Sequence, residues 1–166
     1  MSKLKSLRGS CGWMLAAGFL ATLSGCGGGP SGPTLEMIPV TGRVVMDGQP
    51  LAGATVMFNP AGETKGNGGF GLTDAEGKFT ITDYQQNPGC PPGDYGVTFS
   101  KITQPDGSPI PPGAQRGEVG MVEQVPPVYS QFKPHAIIQG ATVKAPESTF
   151  EFRLESKFKP PHNFFQ

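Results

Sequence analysis

From residue 40 onward, apolar side chains recur at every second position in short runs that Gly and Pro cut off. A period of two belongs to a half-buried strand, whose successive side chains point to opposite faces. No window beyond the first 33 residues sustains the 3.6-residue period of a helix. The 25 Gly and 18 Pro among 166 residues could mark disorder, but their placement between alternating runs makes most of them turn punctuation.

The runs can be read one by one. Val40, Val44 and Met46 share a face before Asp47-Gly48, a tight-turn signal. Ala54, Val56 and Phe58 share the next, and Asn59-Pro60 stops it. Phe70 and Leu72 alternate ahead of the polar turn Asp74-Ala75-Glu76-Gly77, which leads into residues 78–82. Tyr95, Val97 and Phe99 follow Pro91-Pro92-Gly93; residues 141–144 and then Phe150, Phe152 and Leu154 complete the set. About seven short strands predict an all-β chain, a single antiparallel seven-stranded β-sandwich over residues 36–158, followed by a tail at 159–166. Residues 59–69 and 103–136 fit no strand. Loops as long as the second are either functional or disordered, and its Pro/Gly content favours disorder.

The N-terminus obeys different rules. Lys3, Lys5 and Arg8 precede an apolar stretch from Trp13 to Leu23, which ends in Leu23-Ser24-Gly25-Cys26. A basic start, a short apolar middle and small residues at a cleavage point form an export signal, here residues 1–25. The stretch is shorter than the roughly 20 apolar residues that span a bilayer. Leu23, Ser24, Gly25 and Cys26 resemble the lipobox of bacterial lipoproteins. That resemblance implies cleavage before Cys26, lipid on its thiol, and residues 26–35 as a Gly/Pro-rich flexible tether. The expected location is the cell envelope, at an outer membrane or cell surface rather than the inner membrane, because no Asp follows Cys26.

Cleavage would remove three basic and no acidic residues, leaving ten basic against thirteen acidic side chains, a net charge of −3. That balance argues against nucleic acid and against electrostatic adsorption to anionic lipid, so lipid on Cys26 is the expected membrane contact. Cys11 would leave with the signal. Cys90 would then be the one free thiol, best read as structural or incidental in its turn-like Pro-Gly-Cys-Pro-Pro setting.

Three motifs stand in order along residues 40–101. Gly42, Val44, Gly48, Pro50, Leu51, Gly53, Ala54 and Val56 match Gly-x-Val followed by Gly-x-Pro-Leu-x-Gly-Ala-x-Val. Thr73-Asp-Ala-Glu-Gly-Lys-Phe79 matches Thr-Asp-x-x-Gly-x-Phe, and Pro92-Gly93-Asp94-Tyr95 matches Pro-Gly-x-Tyr. Together they resemble carboxypeptidase regulatory-like domains, which implies a transthyretin-like sandwich whose motif positions serve folding. Asp74 should bond the backbone of its own turn, and the Tyr95 hydroxyl a nearby backbone group.

Reactive chemistry is sparse. His135 and His162 are the two histidines, and no zinc-hydrolase, paired-cysteine or Gly-x-Ser-x-Gly motif occurs. Gly66-Asn-Gly-Gly-Phe-Gly71 fits a dinucleotide pattern, but a strand follows it where a helix is needed. Asp74, Glu76 and Asp83 lack the spacing of a calcium loop. Tyr84, Tyr129 and Phe132 offer possible stacking faces for glycan. The expectation is a protein with no catalytic residues, no cofactor and no metal: a structural or protein-interaction module, or alternatively a carbohydrate- or envelope-polymer-binding module using residues 59–69 and 103–136.

Overall fold

The computed structural model describes residues 35–114, 120–133 and 139–158. Leu23, Ser24, Gly25, Cys26, His135 and His162 lie outside the described residues, as do the signal, most of the tether and the tail. No helix among the described residues is long and apolar enough to cross a membrane.

The fold is all-β. Strand β1 (Val40–Met46) pairs with β2 (Gln49–Pro50), β5 (Lys78–Thr80) and β10 (Ser148–Leu154). A second four-stranded sheet runs in the order β4 (Gly69–Leu72), β3 (Thr55–Pro60), β6 (Gly93–Ser100), β9 (Gly140–Val143). A small ribbon pairs β7 (Ile102–Thr103) with β8 (Val122–Glu123), and one helical turn, α1, covers Pro127–Ser130. Every ladder is antiparallel but one: β1 and β10 run parallel, from Val40↔Ser148 to Met46↔Leu154. The expected seven antiparallel strands are thus corrected to ten among the described residues, one pair being parallel. Side-chain alternation is the same in both ladder types, so it carries no information about direction.

The alternating faces meet in one core. Val40 and Val44 from β1 and Phe152 and Leu154 from β10 are buried with Val56, Phe58, Tyr95, Val97 and Phe99 of the other sheet. Phe58 touches the rings of Phe79, Tyr95, Phe150 and Phe152 at centroid distances of 5.7–6.3 Å. Tilted and edge-on contacts of this kind add to the burial of large apolar rings. Gly42 makes room for the cluster: a Cβ there would stand 2.5 Å from Cζ of Phe79.

On β4 the faces are reversed from expectation. Gly69 and Gly71 are buried, while Leu72 is 66% exposed and Phe70 half-buried. A Cβ at Gly69 or Gly71 would strike Ile81 or the carbonyls of Thr82 and Thr80, so the neighbouring segment fits only because these positions lack side chains. That segment joins the two sheets along one side. Phe70 and Thr82 exchange backbone hydrogen bonds of 2.8 and 2.9 Å, and Ile81 N–H donates to the Val40 carbonyl.

The long insertion is also corrected in part, since the stretch around residues 125–129 is packed. Val125, Val128 and Tyr129 are buried, the Tyr129 ring lies 5.6 Å from that of Phe158, and the Tyr129 hydroxyl accepts a hydrogen bond from the Glu155 amide. The Glu123 carboxylate accepts the backbone amides of Lys101 and Val125, which ties the middle of the excursion back to its start. Three buried apolar side chains in a polar, Pro-rich stretch are too few to show a period, yet enough to anchor it.

Candidate functional site

Two of the three sequence motifs meet at one corner, where their residues serve structure. Thr73, buried, donates its hydroxyl to the Leu51 carbonyl and accepts the Ala54 amide at 2.8 Å, tying two motifs together. Asp74 Oδ1 accepts the amides of Glu76 and Lys78 at 3.0 and 2.7 Å, closing its own turn as expected. Gly77 (φ +73) completes that turn, and a side chain there would meet the Val44 carbonyl. Asp83 caps a separate turn through the amides of Gln85 and Asn87. Among the described residues, no three metal-binding side chains come together.

Tyr95 and Cys90 lie at the other end of the core. The Tyr95 hydroxyl donates to the Pro91 carbonyl at 2.7 Å, the backbone contact anticipated for it. Cys90 is fully buried, and its backbone exchanges two hydrogen bonds with Ile38. Burial pushes the thiol up to about 11, only partly offset by a hydrogen bond with Tyr95. At neutral pH the thiol is protonated and out of solvent, which makes it a packing group rather than a nucleophile.

Of the loops and aromatics named from sequence, some are tied into the fold and others stay exposed. Thr64, in the 59–69 loop, donates its hydroxyl to the Asp94 carbonyl and accepts the Asp94 amide, both at 2.8 Å. Tyr129 is buried, which removes it from any shared platform with Tyr84 and Phe132. Tyr84 stays exposed with its ring 5.5 Å from Phe70. Gly69 and Gly71 of the dinucleotide-like pattern enter a strand.

A further candidate is a concavity whose lining includes the motif residues Gly42, Asp74 and Phe79. It is a shallow groove of about 860 Å³ across the outer face of β5, β1 and β10, with Leu72 on its wall. Two rows of outward side chains cross it in strand register. Thr80, Thr41 and Thr149 form one, with 3.2 Å between the hydroxyls of Thr41 and Thr149. Lys78, Arg43 and Glu151 form the other. The Arg43 Nε–H donates to the Glu76 carbonyl at 3.0 Å, holding the guanidinium along the face. Glu151 is paired with Arg153 at 2.6 Å, whereas the Lys78 ammonium has no partner among the described residues. The signal for this site was present as the positions between the apolar ones; it becomes a site only when three distant strands lie side by side.

No protein-family profile matches the sequence, and no curated protein matches it. The crystal structure of a 9R-lipoxygenase from Cyanothece PCC8801 is similar at 13% identity and a TM-score of 0.32, over 72% of this chain and 16% of the lipoxygenase chain. The chain therefore spans about a sixth of that protein's length. The expectation of no catalytic activity is withdrawn for a reason independent of that neighbour. A likeness this slight assigns no reaction. The expectation rested on missing contiguous motifs, whereas reactive groups can be assembled from residues far apart in sequence.

Proposed function

We propose that the chain is the precursor of a cell-envelope lipoprotein, held to a membrane by lipid on Cys26 and presenting a transthyretin-like β-sandwich as a structural or protein-interaction module. The observation that carries this reading is Leu23-Ser24-Gly25-Cys26 behind a basic, apolar start, twelve residues before the first bridged residue, Ile38. Two or more acyl chains, each buried methylene worth about 0.8 kcal/mol, would hold a domain of net charge −3 that lacks electrostatic affinity for anionic lipid. The fold reading draws support from motif residues that meet in space, Thr73 with Leu51 and Ala54, and from rings of two sheets sharing one core. An outer membrane or cell surface is the proposed location.

The test is metabolic labelling with an alkyne-bearing palmitate. Wild-type protein should take up label and lose Trp13, its sole tryptophan, on processing. Cys26→Ser should remain unlabelled and uncleaved. Normal cleavage of that variant, or no label on the wild type, would defeat the reading. A second reading, binding of an envelope polymer, is favoured by one observation: the open groove, whose rows of hydroxyl and charged groups face solvent.

A further inference from the structure

We propose that Asn67 is a site of spontaneous modification, converting in the folded protein through a succinimide to aspartate and isoaspartate and so altering the β3–β4 hairpin with time. The chain holds four asparagines, and their settings differ. Ring closure uses the backbone nitrogen of the following residue as nucleophile. Asn59 and Asn87 each precede proline, whose nitrogen carries no hydrogen to lose. Their side-chain amides are also tied down. Asn59 Nδ2 donates to the Gly96 carbonyl and the Thr98 hydroxyl at 3.1 Å, and Asn87 Nδ2 donates to the Asp83 carboxylate at 2.8 Å. Asn163 lies outside the described residues. Asn67 is exposed, precedes glycine, and its side chain has no hydrogen-bond partner among the described residues.

The fold keeps the attacking nitrogen open. Thr64 is fixed to Asp94 by two hydrogen bonds and Gly69 is paired with Phe58, so Lys65-Gly66-Asn67-Gly68 runs between two anchored points. Gly66 and Gly68 take φ of +90 and +71, and the Gly68 N–H has no acceptor among the described residues. A side chain at residue 68 would collide with the Phe58 carbonyl, so packing demands glycine after Asn67, and glycine leaves its nitrogen unshielded. In the reaction the Gly68 nitrogen bonds Asn67 Cγ as the Cγ–Nδ2 bond breaks. The Gly68 amide proton is lost and Nδ2 leaves as ammonia. One water then opens the ring. Cleavage of the new N–Cγ bond gives aspartate, and cleavage of the original peptide bond gives isoaspartate, whose main chain runs through Cβ. The sum is amide plus water to acid plus ammonia, with nothing oxidised or reduced. Either product adds a negative charge to the loop. Isoaspartate also lengthens the main chain by one carbon just before Gly68, where the backbone lies against the Phe58 carbonyl, which loosens the hairpin.

The test is incubation of the purified full-length protein, folded, in heavy-oxygen water, followed by trypsin and mass spectrometry. Cleavage after Lys65, Lys78 and Lys101 places Asn59, Asn67 and Asn87 in separate fragments, 44–65, 66–78 and 79–101. Fragment 66–78 should gain heavy oxygen and contain both aspartate and isoaspartate. Its conversion should quicken by roughly tenfold per pH unit from about pH 6 to 8, because the amide nitrogen attacks only as it loses its proton. The other two fragments should convert at least tenfold more slowly. Asn67→Gln should slow the reaction tenfold or more, since its longer side chain closes a larger ring. Protein carrying isoaspartate, separated by ion exchange, should unfold at lower urea than the Asn67→Asp variant, which has the charge without the extra main-chain carbon. No heavy oxygen in fragment 66–78 over a time in which the same free peptide converts would overturn the proposal. So would equal conversion of fragment 44–65, or aspartate formed without isoaspartate, the mark of direct hydrolysis.

Discussion

Gly42→Ala adds one methyl group and should be among the costliest single changes in the domain. Its Cβ would lie 2.4 Å from the Phe150 carbonyl oxygen and 2.5 and 2.7 Å from two ring carbons of Phe79. Carbon atoms pack best near 3.5–4.0 Å, so the ring must retreat by about 1 Å. Phe79 is 4% exposed and held between Phe58 and Phe152, so its retreat disturbs the central aromatic cluster. Overpacking of this kind costs about 1–3 kcal/mol, and loosening the β1–β10 ladder at Phe150 adds roughly 1 kcal/mol. The expected loss is therefore about 2–4 kcal/mol, read in urea unfolding by far-UV circular dichroism as a midpoint lowered by roughly 1–2 M. The double variant Gly42→Ala/Phe79→Leu should be less destabilised than the sum of the single changes, because the smaller side chain makes room for the methyl. A midpoint within about 0.3 M of wild type, or strict additivity in the double variant, would refute the steric argument.

Two further perturbations probe the other end of the core. Tyr95→Phe removes the 2.7 Å bond to the Pro91 carbonyl and should cost about 1–2 kcal/mol in thermal unfolding; a loss below about 0.3 kcal/mol would mean that water or another donor replaces it. The Cys90 thiol should resist disulfide reagents in the folded protein and react at the rate of unfolding. Because its folded value is raised from 9.0 to about 11, the folded state keeps the proton longer than the unfolded chain. Stability is then full below pH 9 and falls as pH rises from 9 toward 11, by on the order of 2 kcal/mol in all. Cys90→Ala should flatten the slope between about pH 9 and 10, and an unchanged slope would assign it to other groups.

The strands between residues 40 and 100 were legible because a half-buried strand writes its burial into every second residue, as Val40, Val44, Val56, Phe58, Val97 and Phe99 show. Turn chemistry at Asp74 and Gly77 was equally local, since a carboxylate two to four residues from its amide partners needs no tertiary contact. β4 misled because its inward positions are glycines, which carry no hydrophobic signal, while the apolar Leu72 faces out. The long insertion misled because its composition is that of a loop, and the burial of Val125, Val128 and Tyr129 depends on a core supplied by other strands.

By itself the sequence determined the all-β character, the turn positions, and the Leu23-Ser24-Gly25-Cys26 pattern on which the proposed anchor rests. These are properties of neighbouring residues, set by backbone sterics, side-chain period and short-range hydrogen bonding. Tertiary structure alone decided the parallel pairing of β1 with β10, the packing of the insertion, and the groove where Thr80, Thr41 and Thr149 line up beside Lys78, Arg43 and Glu151. Those residues come from three segments more than thirty positions apart, and which strands become neighbours depends on how all the apolar faces are buried together.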